Sequence, residues 1–592
     1  MTVAQRTMGA PSHLLFDVVE ALRQVRAREA AGPCTKSIRI KVLRNYSAEF
    51  VEPFLKYYFG RIGVGCTVAF GGYDTIHQEL LAGDGLRDHD LVLLSLVLEP
   101  LQAADEAAAG GAAGDILARV TGMIDLVLER TAAPVVLNTF IRPILDAEGA
   151  AGAVRAESAS SRVAEINQGL RAHAREKAPR CLLIDFERLL MLVGLEAAID
   201  RRMGYVAGAP FRHGFLSAYA YEVFRIGRAL AGAAKKCLIL DCDNTLWGGV
   251  VGEVGLEGID LDRNQYPGKA FYDFQKAIVR LAGEGVMVAL CSKNNLDDVM
   301  EVLDRHPHCL LKRRHLVGYR IDWQDKERNI EALVEELNIG MDAVLFVDDS
   351  PVERERIQAF LPDITVRTVP KQLYDLPLLL AREGLFDKLA VTGEDEKRAR
   401  LYQAEAQRRE VAAAFASVDE FLGSLELKAR IEPANASRVP RVSQLTQKTN
   451  QFNLTTRRYS EGEVAAMLAS ADYAVFTLTA GDKFGDIGLT GVFIARRNQD
   501  EAVVDTLLMS CRALGRKLER QFVVTCIEAL DRRWQPQRWR AEYVKTRKNG
   551  QVAAFWPTFG FIAEADGETT QYVAERNALR LEQVPYIQVE AR

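Results

Sequence analysis

Residues 235–245, KKCLILDCDNT, decide the reading of this chain. The apolar run CLIL has the length of a short buried strand. Two carboxylates, Asp241 and Asp243, follow in the loop at its C-terminal end. In open parallel sheets that edge is where ligands bind. The run continues into the helical pattern AFYDFQKAIVRLAGEG (270–285), the strand VMVALCS (286–292) and a further strand in AVLFVDDS (343–350). Strands alternating with helices predict a parallel, helix-covered sheet.

Two carboxylates two residues apart at a strand exit can share a divalent cation, or divide the work of nucleophile and proton carrier. Three later elements supply what such a site would still lack. Cys291-Ser292-Lys293-Asn294 offers a hydroxyl and donors for phosphate oxygens. Lys326, in IDWQDKERNI, can neutralise a transferring phosphoryl group, and Asp348 with Asp349 completes an acidic cluster for Mg²⁺. A lone DxD in a loop is more often a solvated turn, and a lone lysine is usually surface charge. Their order, each at a strand end, points to phosphate chemistry.

Outward from this core, residues 37–230 carry five more apolar runs: SIRIKVL (37–43), CTVAFGG (66–72), LVLLSLV (91–97), PVVLNTF (134–140) and CLLIDF (181–186). With helix-length segments between them they predict another parallel sheet. The Ala/Gly-rich piece at 103–115 reads as a loop and the start of a helix. The pattern breaks at Val391-Thr392-Gly393, where Thr392 or Gly393 is placed to start the charged helix 394–415. Beyond 425 strands and helices mix, as in an α+β domain.

At 592 residues the chain is too long for one core. Its net charge of -5 argues against a nucleic-acid-binding polyelectrolyte or a polybasic anchor. The nine cysteines form no CxxC pair, which fits a reducing cytoplasm. No apolar stretch reaches the roughly 18 to 20 residues of a membrane span. Neither membrane nor nucleic acid is expected as a partner.

DCDNT, CSKNN, Lys326 and FVDDS resemble the four motifs of the haloacid dehalogenase (HAD) superfamily. The resemblance implies Asp241 as nucleophile, Asp243 as general acid/base, and Thr245, Ser292, Lys293, Asn294 and Lys326 as substrate ligands. It also implies Mg²⁺ held by Asp241, the main-chain carbonyl of Asp243, and Asp348, with Asp349 nearby. Asp241 to Ser292 spans 51 residues and Ser292 to Lys326 spans 34. Neither interval has room for a cap domain of about 50 residues or more, so an open site suited to a large partner is expected.

LWGGVVGEVGLEGIDL, SKNN, FVDDSPVERE, QKTNQFNLTTRRY, GDKFGDIGLTGVFIARR and SCRALGRKLE are similar to the FkbH-like family of polyketide biosynthesis. That resemblance implies removal of phosphate from 1,3-bisphosphoglycerate and passage of the glyceryl group to the phosphopantetheine of an acyl carrier protein. Cys291 is a candidate thiol relay for it, or a small buried filler. Rival readings are a phosphatase or phosphotransferase acting on a small phosphometabolite, and a noncatalytic docking scaffold.

The expected layout is an N-terminal helical extension (1–36), an SGNH-hydrolase-like α/β domain (37–233), a HAD-like catalytic domain (234–391) and a GNAT-like domain (392–592). In the SGNH-like domain the first strand leads to Ser47 without a GDS-type turn, and His213 lacks an Asp three residues before it. Both are read as structural or recognition residues, with PFRHGF packing the start of the next helix. In the GNAT-like domain Arg512, Gly515 and Arg516 stand where a pantetheine or CoA pyrophosphate would meet a helix N-terminus. Lys517 fills the last, usually small, position. Lys448, Asn450 and Asn453 would share a face if their segment is helical. The basic run 532–550 reads as a strand hairpin with solvated charges.

Overall fold

The structure, a computed structural model, describes residues 14–591 except 35, 83–84, 108–112, 145–148, 150–151, 153–154, 156–157, 338, 390–407, 409–414, 416, 450–451, 511–512, 547–548 and 566–568. The chain divides into two compact units, Met1–Ala399 and Arg400–Arg592.

The first unit holds two parallel sheets. One comprises β1 (Lys36–Arg44), β2 (Val64–Tyr73), β3 (Leu91–Ser95), β4 (Val135–Asn138) and β5 (Cys181–Ile184), in the order β2-β1-β3-β4-β5. Alternation along each strand feeds two cores. Leu91 and Leu93 face one helical layer with Val42 and Val136. Val92 and Leu94 face the other with Leu43 and Leu137. Every residue of β3 and β4 is buried, as their continuous apolar runs require.

The second sheet comprises β6 (Cys237–Leu240), β7 (Met287–Ser292), β8 (Leu316–Ile321), β9 (Val344–Asp348) and β10 (Thr365–Thr368), ordered β10-β9-β6-β7-β8. β6 lies centrally, with Leu240 opposite Leu290 of β7 and Val347 of β9. Its C-terminal end therefore opens between theirs. Two helices, Val251–Gly258 and Gly268–Gly283, lie between β6 and β7, and Leu296–Arg305 lies between β7 and β8. Among the described residues no cap covers this edge.

Helix His213–Leu230 packs on the first sheet and also binds the end of the second. Arg225 donates to both carboxylate oxygens of Asp387 at 2.6 and 3.1 Å, and the Tyr221 hydroxyl donates to the Glu383 carbonyl at 3.1 Å. These contacts join the two expected α/β domains into one unit. The break at Val391, Thr392 and Gly393, and nearly all of the helix expected at 394–415, lie outside the described residues. One local expectation is corrected: helix Leu98–Ala107 runs into the stretch read as a loop, because its alanines favour helix.

The second unit is α+β. β11 (Lys428–Pro433), β13 (Tyr473–Asp482), β14 (Gly485–Asn498), β15 (Glu501–Met509), β16 (Arg538–Val544), β17 (Ile562–Ala565), β18 (Thr569–Glu575) and β19 (Gln588–Ala591) form one sheet, with the two-residue β12 (Phe452–Asn453) on β15. β15 and β16 pair in parallel from Glu501 to Val503 only. Farther on, Leu454 bridges them, its N–H donating to Leu507 at 3.1 Å and its carbonyl accepting from Val544 at 2.8 Å.

The helix of QKTNQFN ends at Lys448 and Asn453 lies in β12, so the shared helical face does not form. Asn450 and the Lys448 side chain lie outside the described residues. In the basic run, Trp539 is fully buried, while Arg538 and Arg540 pair with Glu501, Glu564 and Glu575. The strand is present, but its arginines are matched by acids on neighbouring strands, not left to solvent alone.

Candidate active site

The residues after β6 are shaped by the backbone. Asn244 takes a left-handed φ of 53°, and its side-chain oxygen accepts from the Gly249 N–H at 2.9 Å. This tight return leaves Asp241 facing the ends of β7 and β9, and the residue is only 5% exposed. Lys326, first residue of helix Lys326–Glu336, extends its ammonium between two acids. Nζ lies 2.7 Å from Asp241 Oδ1 and 2.7 Å from Asp348 Oδ2. The other oxygen of Asp348 accepts from the Ser350 N–H at 2.8 Å.

Burial pushes the Asp241 carboxyl up to about 6; the Lys326 charge pulls against that shift and Asp348 adds to it. Burial also works against charge on Lys326, but the two carboxylates outweigh it and hold its pKa above the ordinary lysine range. Asp349 is raised by burial and then by the neighbouring charge of Asp348. One oxygen from each of Asp241, Asp348 and Asp349 lies within 4.8 Å of the others. An all-oxygen cluster suits a hard divalent cation.

The Asp243 side chain stands apart from these three acids. Its carboxylate is not in that cluster: Oδ1 accepts from Trp247 Nε1 at 2.9 Å and the Val251 N–H at 3.1 Å, and Oδ2 accepts from Asn294 at 2.7 Å. Three donors fix its orientation, which suits a proton carrier, and leave only its main-chain carbonyl for a cation. Ser292 is buried, and its hydroxyl opposes the rise of the Asp241 pKa. Thr245 is fully buried with its hydroxyl unpartnered among the described residues. Lys293 is engaged elsewhere, with Glu353 at 3.0 Å and Asp325 at 3.9 Å. Asn294 positions Asp243.

Residue types alone did not single out Trp247 or Arg354. Trp247 lies in the distinctive LWGG stretch, which was the available signal. Arg354 donates to the carbonyls of Asp348 at 2.9 Å and Asp349 at 2.6 Å. Nothing in its local sequence distinguishes it from a surface helix arginine.

The structure favours the filler reading of Cys291 over the thiol relay. The side chain is fully buried, with Sγ 3.8 Å from the Lys326 carbonyl. Burial pushes the thiol up to about 12, which suppresses the thiolate that a relay needs. Cys291→Ala should leave turnover within about twofold and lower unfolding free energy by about 1 kcal/mol, checked by parallel steady-state assays and denaturant titration.

Outside this site, Ser47 Oγ donates to the Ala207 carbonyl at 2.9 Å, and the His213 ring packs on Phe50 with centroids 4.8 Å apart. No hydrogen bond joins Ser47 to His213 among the described residues. Phe211 stacks on Phe215 at 4.3 Å, so PFRHGF does pack at the start of helix His213–Leu230. In the second unit Gly515 has φ 76° and Lys517 caps helix Leu518–Trp534. The Lys517 ammonium pairs with Asp419 at 2.7 Å, Arg516 is buried, and Arg512 lies outside the described residues.

Residues 236–361 match the family of NLI interacting factor-like phosphatases. This stretch is a HAD-type phosphatase domain. The match encloses Asp241, Asp243, Ser292, Lys326, Asp348 and Asp349, and a phosphatase domain makes the chain an enzyme. The N-terminal part of a Bacteroides fragilis protein containing a phosphatase domain, complexed with Mg, shares the fold at TM-score 0.56. It is 22% identical, and the match covers 64% of this chain and 100% of that one. The ribosomal-protein-S18-alanine N-acetyltransferase of Escherichia coli matches at 18% identity over 24% of this chain and 90% of that one, TM-score 0.20. An N-acetyltransferase of Thermoplasma acidophilum in complex with coenzyme A matches at 12% identity over 25% and 98%, TM-score 0.21. No curated protein matches the chain. No described helix is long and apolar enough to cross a membrane.

Proposed function

We propose that this chain is a cytoplasmic, Mg²⁺-dependent HAD-type enzyme of polyketide-type biosynthesis. It releases phosphate from an acyl phosphate, 1,3-bisphosphoglycerate, and delivers the glyceryl unit to the phosphopantetheine thiol of an acyl carrier protein. The observation that carries the reading is the Lys326 ammonium between Asp241 and Asp348, with Asp349 beside them, on a sheet edge that no described cap covers. The Mg-bound relative supports the choice of cation for an all-oxygen donor set. The FkbH-like motifs support the acceptor, and the lack of an inserted cap domain between β6 and β7 or β7 and β8 supports a macromolecular one.

When bound at Asp241, Asp348 and the Asp243 carbonyl, Mg²⁺ would offset charge on the phosphoryl oxygens. Lys326 adds a second positive charge on the same group, and Ser292 adds a hydroxyl donor. Two bond cleavages are open to an acyl phosphate. If Asp241 attacks phosphorus, the P–O bond breaks and a free carboxylate leaves, which cannot form a thioester unaided. For transfer, the pantetheine sulfur attacks the acyl carbon, the C–O bond breaks, and the C1 phosphate departs with the bridging oxygen, leaving a 3-phosphoglyceryl thioester. The thiol proton goes to Asp243, held ready by Trp247, Val251 and Asn294. Asp241 then attacks the C3 phosphorus, the P–O bond breaks, the C3 oxygen leaves with a proton from Asp243, and water hydrolyses the aspartyl phosphate to give the second phosphate and the glyceryl thioester. The burial of Cys291 favours this direct attack over an enzyme-bound thioester. It equally favours the second reading, a phosphatase whose acceptor is water.

The two readings separate when the protein is incubated with Mg²⁺, 1,3-bisphosphoglycerate and holo carrier protein, and intact masses are read. Phosphate release with glycerylated carrier supports transfer. Phosphate release with the carrier unchanged leaves the phosphatase. Metal affinity should also depend on pH. Cation binding requires the Asp241 carboxylate, so with its carboxyl near 6, Mg²⁺ affinity should fall about tenfold per pH unit below that value and stay level above it. Calorimetric titration at about pH 5 and about pH 7 measures this.

A further inference from the structure

A cavity of about 530 Å³ lies within the first unit, between the helix carrying Tyr221, Phe224 and Arg228 and the N-terminal ends of β6, β9 and β10. This is the opposite end of the second sheet from Asp241. Its inner wall carries two cations whose acids, Glu383 and Asp387 for Arg228 and Asp342 and Asp363 for Lys235, act on them without forming an ion pair. Arg228 is 3% exposed, donates through Nη2 to the carbonyls of Glu383 (2.8 Å) and Gly384, and leaves Nε without a partner. Lys235 rests its ammonium on the Asp342 carbonyl at 2.5 Å, and burial pushes its pKa down to about 8.

Among the described residues no carboxylate lies within ion-pair distance of either cation. Arg367 also lines the cavity, but Glu383 neutralises it, at 2.6 and 2.5 Å. The carboxylates of Asp342 and Asp363 and the guanidinium of Arg61 stand on the exposed rim. Burying a cation without an ion pair costs several kcal/mol. Arg228 is such a cation, and the half-buried Lys235 adds a second positive charge to the same cavity. The same pair facing a polar cavity at a domain junction forms a seat for a small anion.

We propose that this cavity binds a small phosphate-bearing ligand, with Arg228 and Lys235 as its charged contacts and the ring of Phe224, over which Arg228 lies at 5.1 Å, as part of the wall. The ligand is inorganic phosphate or the phosphate monoester of a small metabolite. It occupies a site separate from the catalytic carboxylates. Because Lys235 leads directly into β6, the strand that delivers Asp241, the ligand would sense the same element that carries the chemistry.

The test is calorimetric titration of the full chain, in EDTA to prevent turnover, with inorganic phosphate and separately with glycerol 3-phosphate. The wild-type protein should bind one equivalent more than Lys235→Gln, and Arg228→Lys should weaken that extra event at least tenfold. Lys235 is only half-buried, so its variant tests the site even if the Arg228 variant unfolds. An extra event at least tenfold tighter for glycerol 3-phosphate assigns a monoester, and equal or tighter binding of inorganic phosphate assigns the free ion. Identical stoichiometry and affinity in wild type and Lys235→Gln would overturn the proposal.

Discussion

Asp241→Asn should abolish phosphate release, with kcat falling by about 10⁴-fold or more. The amide has the shape of the carboxylate but is a poor nucleophile toward phosphorus and a weak ligand for a hard cation. The loss is therefore expected both for hydrolysis, where Asp241 attacks phosphorus, and for acyl transfer, where it holds the metal. The fold should survive, because Lys326 keeps its 2.7 Å contact with Asp348. A melting temperature close to wild type alongside lost turnover is the expected pair of results. Turnover within tenfold of wild type would place the chemistry elsewhere in the chain.

Lys326→Met produces the second large effect, and it separates catalysis from stability. The ammonium is the partner of two buried carboxylates, and Asp348 is fully buried. Removing one member of such a set leaves uncompensated charge, at a cost of about 3–5 kcal/mol. The same substitution removes a positive charge from the phosphoryl group in the transition state, for a loss of about 10²–10³ in kcat. Saturating Mg²⁺ should restore much of the stability, because a cation bound to the native acids favours the folded state. It should not restore kcat. Denaturant titration with and without Mg²⁺, beside initial rates, reads both halves. If added Mg²⁺ leaves the variant's stability unchanged, the three carboxylates do not form a cation site.

Much of the phosphatase domain could be read from the chain because each motif abuts a strand of nearly continuous apolar residues. LILDCDNT, VALCS and AVLFVDDS each announce a buried strand and the polar residues at its end. Parallel topology then brings those ends to one edge, so Asp241, Ser292 and Asp348 could be grouped from order alone. Side-chain direction, in contrast, is set by contacts outside the motifs. Asp243 and Asp241 both follow β6, but the turn at Asn244 gives Asp243 to Trp247, Val251 and Asn294, away from the acidic cluster. Lys293 looks like a phosphate ligand in CSKNN until Glu353, sixty positions on, takes its charge.

By itself the sequence determined the alternation of strands and helices, the mixed character of the C-terminal unit, and the acids at one edge of the second sheet. Those properties follow from local periodicity and from the constraint that a parallel strand reaches its neighbour through a covering helix. Only the tertiary structure decided that Lys326 joins two carboxylates, that Cys291 lies beneath the Lys326 backbone, and that Arg228 and Lys235 share a cavity behind the catalytic strand. Each depends on burial and on contacts between residues distant in the chain. Solvent exclusion sets the strength of a charge or the reactivity of a thiol, and no residue carries its degree of exclusion in its own identity.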